Sequence, residues 1–151
     1  MLASIIIIAV STALFVYWFR YSCVLILNTK TIQSYAAEVA QSKELSFMNV
    51  QRALATAEAA SLDELRADLR RDYGRISTLL SDTVNRGPGG DREAYMLERA
   101  MLGMSFRWLN VQYKLVSHFS ERTARAALLE MSQIVEHHAN AFGEALAAQR
   151  C

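Results

Sequence analysis

Proline occurs once in this chain, at Pro88, and glycine only six times in 151 residues. Proline removes a backbone donor and glycine weakens regular elements, so their scarcity leaves long stretches that nothing interrupts. Plentiful Ala, Leu, Glu, Arg and Gln favour helix and argue against a sandwich or barrel. Cysteine is also scarce: Cys23 and Cys151 stand at opposite ends of the chain. Two thiols so placed make no disulfide framework, and a reducing compartment is the simpler expectation. No sign of charge dominates. Sixteen Lys and Arg face fifteen Asp and Glu, with no basic domain and no acidic tail. That balance points away from nucleic acid.

What the chain does have, at its start, is a long uncharged run. Leu2 to Phe19 reads LASIIIIAVSTALFVYWF, 18 residues without a charge. As a helix it rises about 27 Å, close to the hydrocarbon thickness of a bilayer. A helix satisfies its own backbone in lipid. Tyr17, Trp18, Phe19 and Tyr21 cluster around Arg20. Aromatic rings with a polar edge favour the headgroup level, so Tyr17, Trp18, Arg20 and Tyr21 are the expected membrane-interface residues. Residues 21–27 are again apolar, and the sequence leaves open whether they lie in lipid or on the folded part. The expectation is a transmembrane anchor over residues 1–28. A cleaved signal peptide is disfavoured, because no basic segment precedes the run and no small-x-small site follows it. Arg20 stands where a lipoprotein motif ending at Cys23 needs an aliphatic residue. By the positive-inside rule, Arg20, Lys30 and Lys43 put the C-terminal side in the cytoplasm and the amino terminus outside.

Residues 29–151 read as one helical domain. Thr31 to Ala60 is expected as a first helix, with Ile32, Tyr35, Val39, Ser46, Val50 and Leu54 on its stripe. It follows the anchor with no breaker between them, so a single continuous stalk helix is an alternative. Ser61-Leu62-Asp63-Glu64 has the form of a capping box and predicts a new start there. Leu62, Leu65, Leu69, Tyr73, Ile76, Leu80 and Val84 follow at spacings of three and four. The loop Asn85-Arg86-Gly87-Pro88-Gly89-Gly90 ends this helix, and Asp91 caps the next. The third stripe is Leu97, Met101, Met104, Trp108, Val111, Leu115 and Phe119. Ser120 is the expected cap of the fourth helix, whose stripe is Ala124, Leu128, Met131, Val135, His138, Phe142 and Leu146. Four segments of similar length with short connections predict an antiparallel up-down bundle, or three helices on a stalk in the alternative. In the bundle, Lys30, Arg86, Arg92 and Arg150 gather at the membrane-proximal end.

No constellation for catalysis stands out. His118 and His138 fall roughly 27 Å apart along a hairpin, and His137 and His138 diverge by about 100° on one helix. No Glu-x-x-His pair and no Cys-x-x-Cys-His occurs, so the di-iron and covalent-haem patterns are absent. No metal, catalytic residue or cofactor is therefore expected. Haem or quinone held near His138 is the alternative. Arg66, Arg70, Arg71 and Arg75, interleaved with Asp63, Asp68 and Asp72, read as a solvated face or a docking face for an acidic partner. The RGPGG loop lacks the phosphate-loop pattern. Apolar residues on the third helix exceed one stripe. Phe106, Trp108, Leu109 and Tyr113 are the candidate partner-binding residues, on either the central helix or an exposed patch. The function expected is an interaction or scaffold protein of the membrane, not an enzyme. Its partners would be the lipid bilayer and another protein or a second copy, with no nucleic acid.

Overall fold

The computed structural model describes residues 1–28, 34–56, 61–86 and 92–150, and every regular element among them is a helix. In chain order these are α1 (Leu2–Asn28), α2 (Ala36–Ser42), α3 (Phe47–Thr56), α4 (Leu62–Arg86), α5 (Arg92–Val116) and α6 (Glu121–Arg150). The chain divides into two units, residues 1–30 and 31–151.

The first unit is α1. It continues through Arg20 to Asn28 without interruption. Ala3–Asn28, 26 residues, is long and apolar enough to cross a membrane. At about 1.5 Å per residue that length exceeds the ~30 Å of bilayer hydrocarbon. Ile5, Ile8, Leu14, Phe15 and Trp18 are all exposed. A core helix of a soluble protein has the same composition but hides such side chains, whereas the qualifying 18-residue stretch of α1 has none buried, Cys23 being the buried residue of this helix. The aromatic rings pair along the helix: Phe15 stacks on Phe19, and Trp18 meets Tyr21 edge-on at 6.0 Å.

The second unit is organised around α6, which packs against α2, α3, α4 and α5. Its N-terminus is capped as the sequence suggests, with the Thr123 amide donating to Ser120 Oγ at 3.4 Å. The expected stripe from Ala124 to Phe142 is buried. Ala127, Ile134 and Ala139 are buried as well, which widens the apolar band to what a central helix needs. Gln149 of α6 donates to the Thr83 carbonyl of α4 at 3.0 Å, and Tyr73 of α4 meets the His138 ring. Both numbers rise together, so α4 and α6 run parallel. Arg99 of α5 donates to the Ser77 carbonyl and hydroxyl, and Glu98 meets His137, so α5 opposes both.

Two expectations change. The first helix is not one helix: it breaks at residues 43–46, where Glu44 takes φ 53°. A non-glycine residue rarely adopts that conformation. The cause is distant in sequence. Asp72 of α4 is buried and accepts the Ser46 amide at 2.6 Å, with the Phe47 amide also bonded to it. A carboxylate at the N-terminus of α3 meets its unpaired amides and its dipole, and the turn lets Leu45 and Phe47 both enter the core. Upstream, the Ala36 amide at the start of α2 donates to Asn140 Oδ1 of α6 at 2.7 Å. Tyr35 lies against Gly143 so closely that a Cβ there would fall 2.2 Å from the tyrosine Cβ, so only glycine allows the approach. A stalk continuous with α1, Gly87 to Gly90 of the loop and the Asp91 cap lie outside the described residues, as does Lys30 of the expected gathering with Arg86, Arg92 and Arg150; Asn85 and Arg86 are the last residues of α4.

The second correction concerns α5. Its expected core stripe faces outward: Leu97 is 64% exposed, Trp108 54% and Leu115 64%, with Met104 and Val111 exposed between them. The line that enters the core is Leu102, Phe106, Leu109 and Tyr113. Both lines advance by alternating steps of three and four, so periodicity alone does not choose between them.

Candidate functional site

Three of the four candidate partner-binding residues are core. Phe106 stacks on Tyr73 at 4.1 Å between centroids, Leu109 is buried, and Tyr113 is only 2% exposed, bonded to Asp63 and covered by the Arg66 guanidinium at 5.1 Å. Trp108 alone looks outward. Of the membrane-interface candidates, Tyr17, Trp18 and Tyr21 are exposed on α1 and Arg20 is half-buried.

The arginine face divides in the same way. Arg66 packs on Tyr113, and Arg71 pairs with Asp68 at 3.1 Å. Asp72, read as a local partner for these arginines, is committed to α3 instead. Arg70 and Arg75 are exposed. Exposed pairs of this kind contribute about 0–1 kcal/mol, so the face is mostly solvation.

The inward face of α5 meets α6 in a polar cluster that sequence reasoning missed. His137 Nε2 lies 2.6 Å from Glu98 Oε1. This contact holds the Glu98 carboxyl below its ordinary range against the opposing effect of burial. One residue on, the plane of the His138 ring stands at 76° to that of His137, with 6.5 Å between the centroids. His138 Nδ1–H donates to the Ile134 carbonyl at 2.9 Å, which leaves Nε2 as the acceptor nitrogen. Burial above all pushes the His138 imidazole down to about 4. Tyr95 is driven up, again by burial. His138 Nε2 and the Tyr95 hydroxyl are both buried without a hydrogen-bond partner. These two residues, with Glu98, Arg99 and His137, line a cavity of about 10 Å³, about the room one water needs. A haem or quinone ring would need α5 and α6 to part. Among the described residues no three His, Cys, Asp or Glu side chains gather as a metal site. The cluster's arrangement fits a tie between α5 and α6 through Glu98 and His137, while His138 bonds within α6 and meets the Tyr73 ring of α4 edge-on.

The outward face of α5 is its counterpart. Leu97, Met101, Met104, Trp108, Val111 and Leu115 follow one another at steps of 4, 3, 4, 3 and 4 along the helix. All but half-buried Met101 are exposed. That step pattern is a heptad seam, the geometry by which one helix receives another. Soluble surfaces seldom leave such a continuous apolar line to water.

No protein-family model matches this chain, and no curated protein and no solved structure matches it.

Proposed function

We propose that this chain is a membrane-anchored interaction protein with no catalysis of its own. In this reading α1 lies in a bilayer as a retained single-pass anchor, with the amino terminus outside and residues 29–151 in the cytoplasm. The helices of the folded part form an up-down bundle whose first member is broken. That reading draws support from the opposed directions of α4 and α5 and of α5 and α6. The bundle offers the outward face of α5 to a protein. The observation that carries the proposal is that face: a helix already holding a full core line bears a second complete apolar line in solvent. The alternative for α1, a removed signal sequence, requires a cleavage step that the sequence around residues 17–23 does not invite.

The test uses the full chain in its native membrane. A photo-crosslinking residue at Trp108 is expected to give protein adducts, while the same residue at Arg70 on the solvated face of α4 gives none. Lipid adducts alone at Trp108, or equal yields at the two positions, would remove the basis for the reading. In the same cells a Cys23→Ser variant carries only Cys151. An impermeant maleimide should leave it unlabelled until the membrane is broken, and labelling of intact cells would reverse the orientation.

A further inference from the structure

We infer that the occupant of the outward α5 seam is the same seam of a second copy, laid antiparallel. The inference rests on the interaction reading above and names its partner.

Three observations converge on it. The first is symmetry of spacing. Steps of 4, 3, 4, 3 and 4 read the same from either end. An antiparallel copy can therefore seat the line in the gaps of the same line, as a two-fold interface requires, and the register argued below engages Leu97, Met101, Met104 and Trp108 of it.

The second is charge. Glu93 and Lys114 are exposed on α5 and lie on the same flank of the seam at its opposite ends. Each directly precedes the row formed by Met101, Trp108 and Leu115 or its N-terminal extension, so the two flank positions are equivalent. Antiparallel pairing sets Glu93 of each copy beside Lys114 of the other, twice. Parallel pairing in register instead leaves Glu93 and Lys114 at opposite ends, about 30 Å apart along the axis, and joins neither to the other. The α5 dipoles favour the antiparallel arrangement as well.

The third is register. The flank charges meet when Met101 lies over Met104 of the second copy and Leu97 over its Trp108. Arg107, on the same flank, then faces Ala100. Slid by one heptad, the same pairing would set Arg107 against Arg107. Slid one heptad the other way, Glu93 would meet Arg107 but Trp108 would leave the pairing, so charge and the apolar line together select one register. Two tryptophans, each packed over a leucine near the centre, are the anchors expected of such an interface.

The experiment is a concentration series of the full chain in mild detergent, with mass read by light scattering and helix content by circular dichroism. A dimer is expected. Trp108→Glu should abolish it with helix content unchanged, because Trp108 lies outside the core. Glu93→Lys and Lys114→Glu alone should each weaken the dimer, on the order of tenfold in Kd, and the double swap should restore it. A monomer at every concentration overturns the inference, as does a dimer indifferent to Trp108→Glu. A dimer weakened by Trp108→Glu but unmoved by both charge reversals overturns the antiparallel register. The crosslink at Trp108 separates the two levels. An adduct with a different protein keeps the interaction reading and ends self-pairing, whereas no protein adduct ends both.

Discussion

Helices α1 and α5 both leave large apolar side chains in the open, but in different patterns. On α1 they cover every side, from Ile5 to Trp18. On α5 all but Met96 form a single line, with a buried line opposite. An all-round apolar surface asks for a medium, and a line asks for a mate. The same hydrophobic effect drives both, and geometry alone decides which kind of partner removes the surface from water.

The largest expected effect tests the medium. Val10→Arg with Leu14→Arg places two guanidinium groups at mid-helix in α1. Each costs roughly 2.5–3.5 kcal/mol of insertion. The double variant should leave the carbonate-resistant membrane fraction, and its full retention there would refute the comparison. The next effect separates the two lines of α5. Leu102→Ala should cost about 2–5 kcal/mol of unfolding stability as a core truncation. Leu115→Ala should fall within about 0.5 kcal/mol of the parent for the undimerised chain. Equal losses in chemical denaturation would mean that both lines are covered within one copy.

The smallest effect tests the inward line where it is polar. The folded state holds His138 at about 4 against its ordinary 6.5, so folding favours the neutral ring. That stability is complete above pH 6.5 and is lost as pH falls toward 4, because the unfolded chain binds a proton that the folded chain refuses. From pH 6.5 to 5 the loss should be about 2 kcal/mol. His138→Leu should flatten the stability profile over that interval. Glu98, held low, loses its contribution in the same direction but below the usual carboxylate range. A slope unchanged in His138→Leu would assign the acid limb to other groups.

Where the sequence spoke clearly, the signal was local. The cap at Ser120 and the steps through Leu69, Ile76 and Leu80 placed α4 and α6 within a residue or two of their ends. The break at residues 43–46 was not legible, because no glycine or proline marks it. Its cause is Asp72, 26 residues from Ser46 along the chain. A signal did exist: Asp72 stands three residues past Leu69 and four before Ile76, so it sits on a core line, where a carboxylate must find donors. The outward turn of α5 failed for another reason. Two apolar lines of equal period share that helix, and only the choice made by α4 and α6 breaks the tie. The Glu98–His137 contact joins helices through residues 39 apart, and nothing local announces it.

A tug on the chain between α1 and the folded unit arrives first at Tyr35 and Ala36. There it meets one clip, the Ala36 amide on Asn140 beside the seat at Gly143. Behind it, past the seven residues of α2, stands a second, the Ser46 amide on Asp72. Clips in series open one at a time. Tension would free α2, then α3, and reach α4, α5 and α6 last. If α1 is the anchor proposed above, the broken first helix would be a strain relief between tether and core, and the seam on α5 would stay whole while the slack runs out.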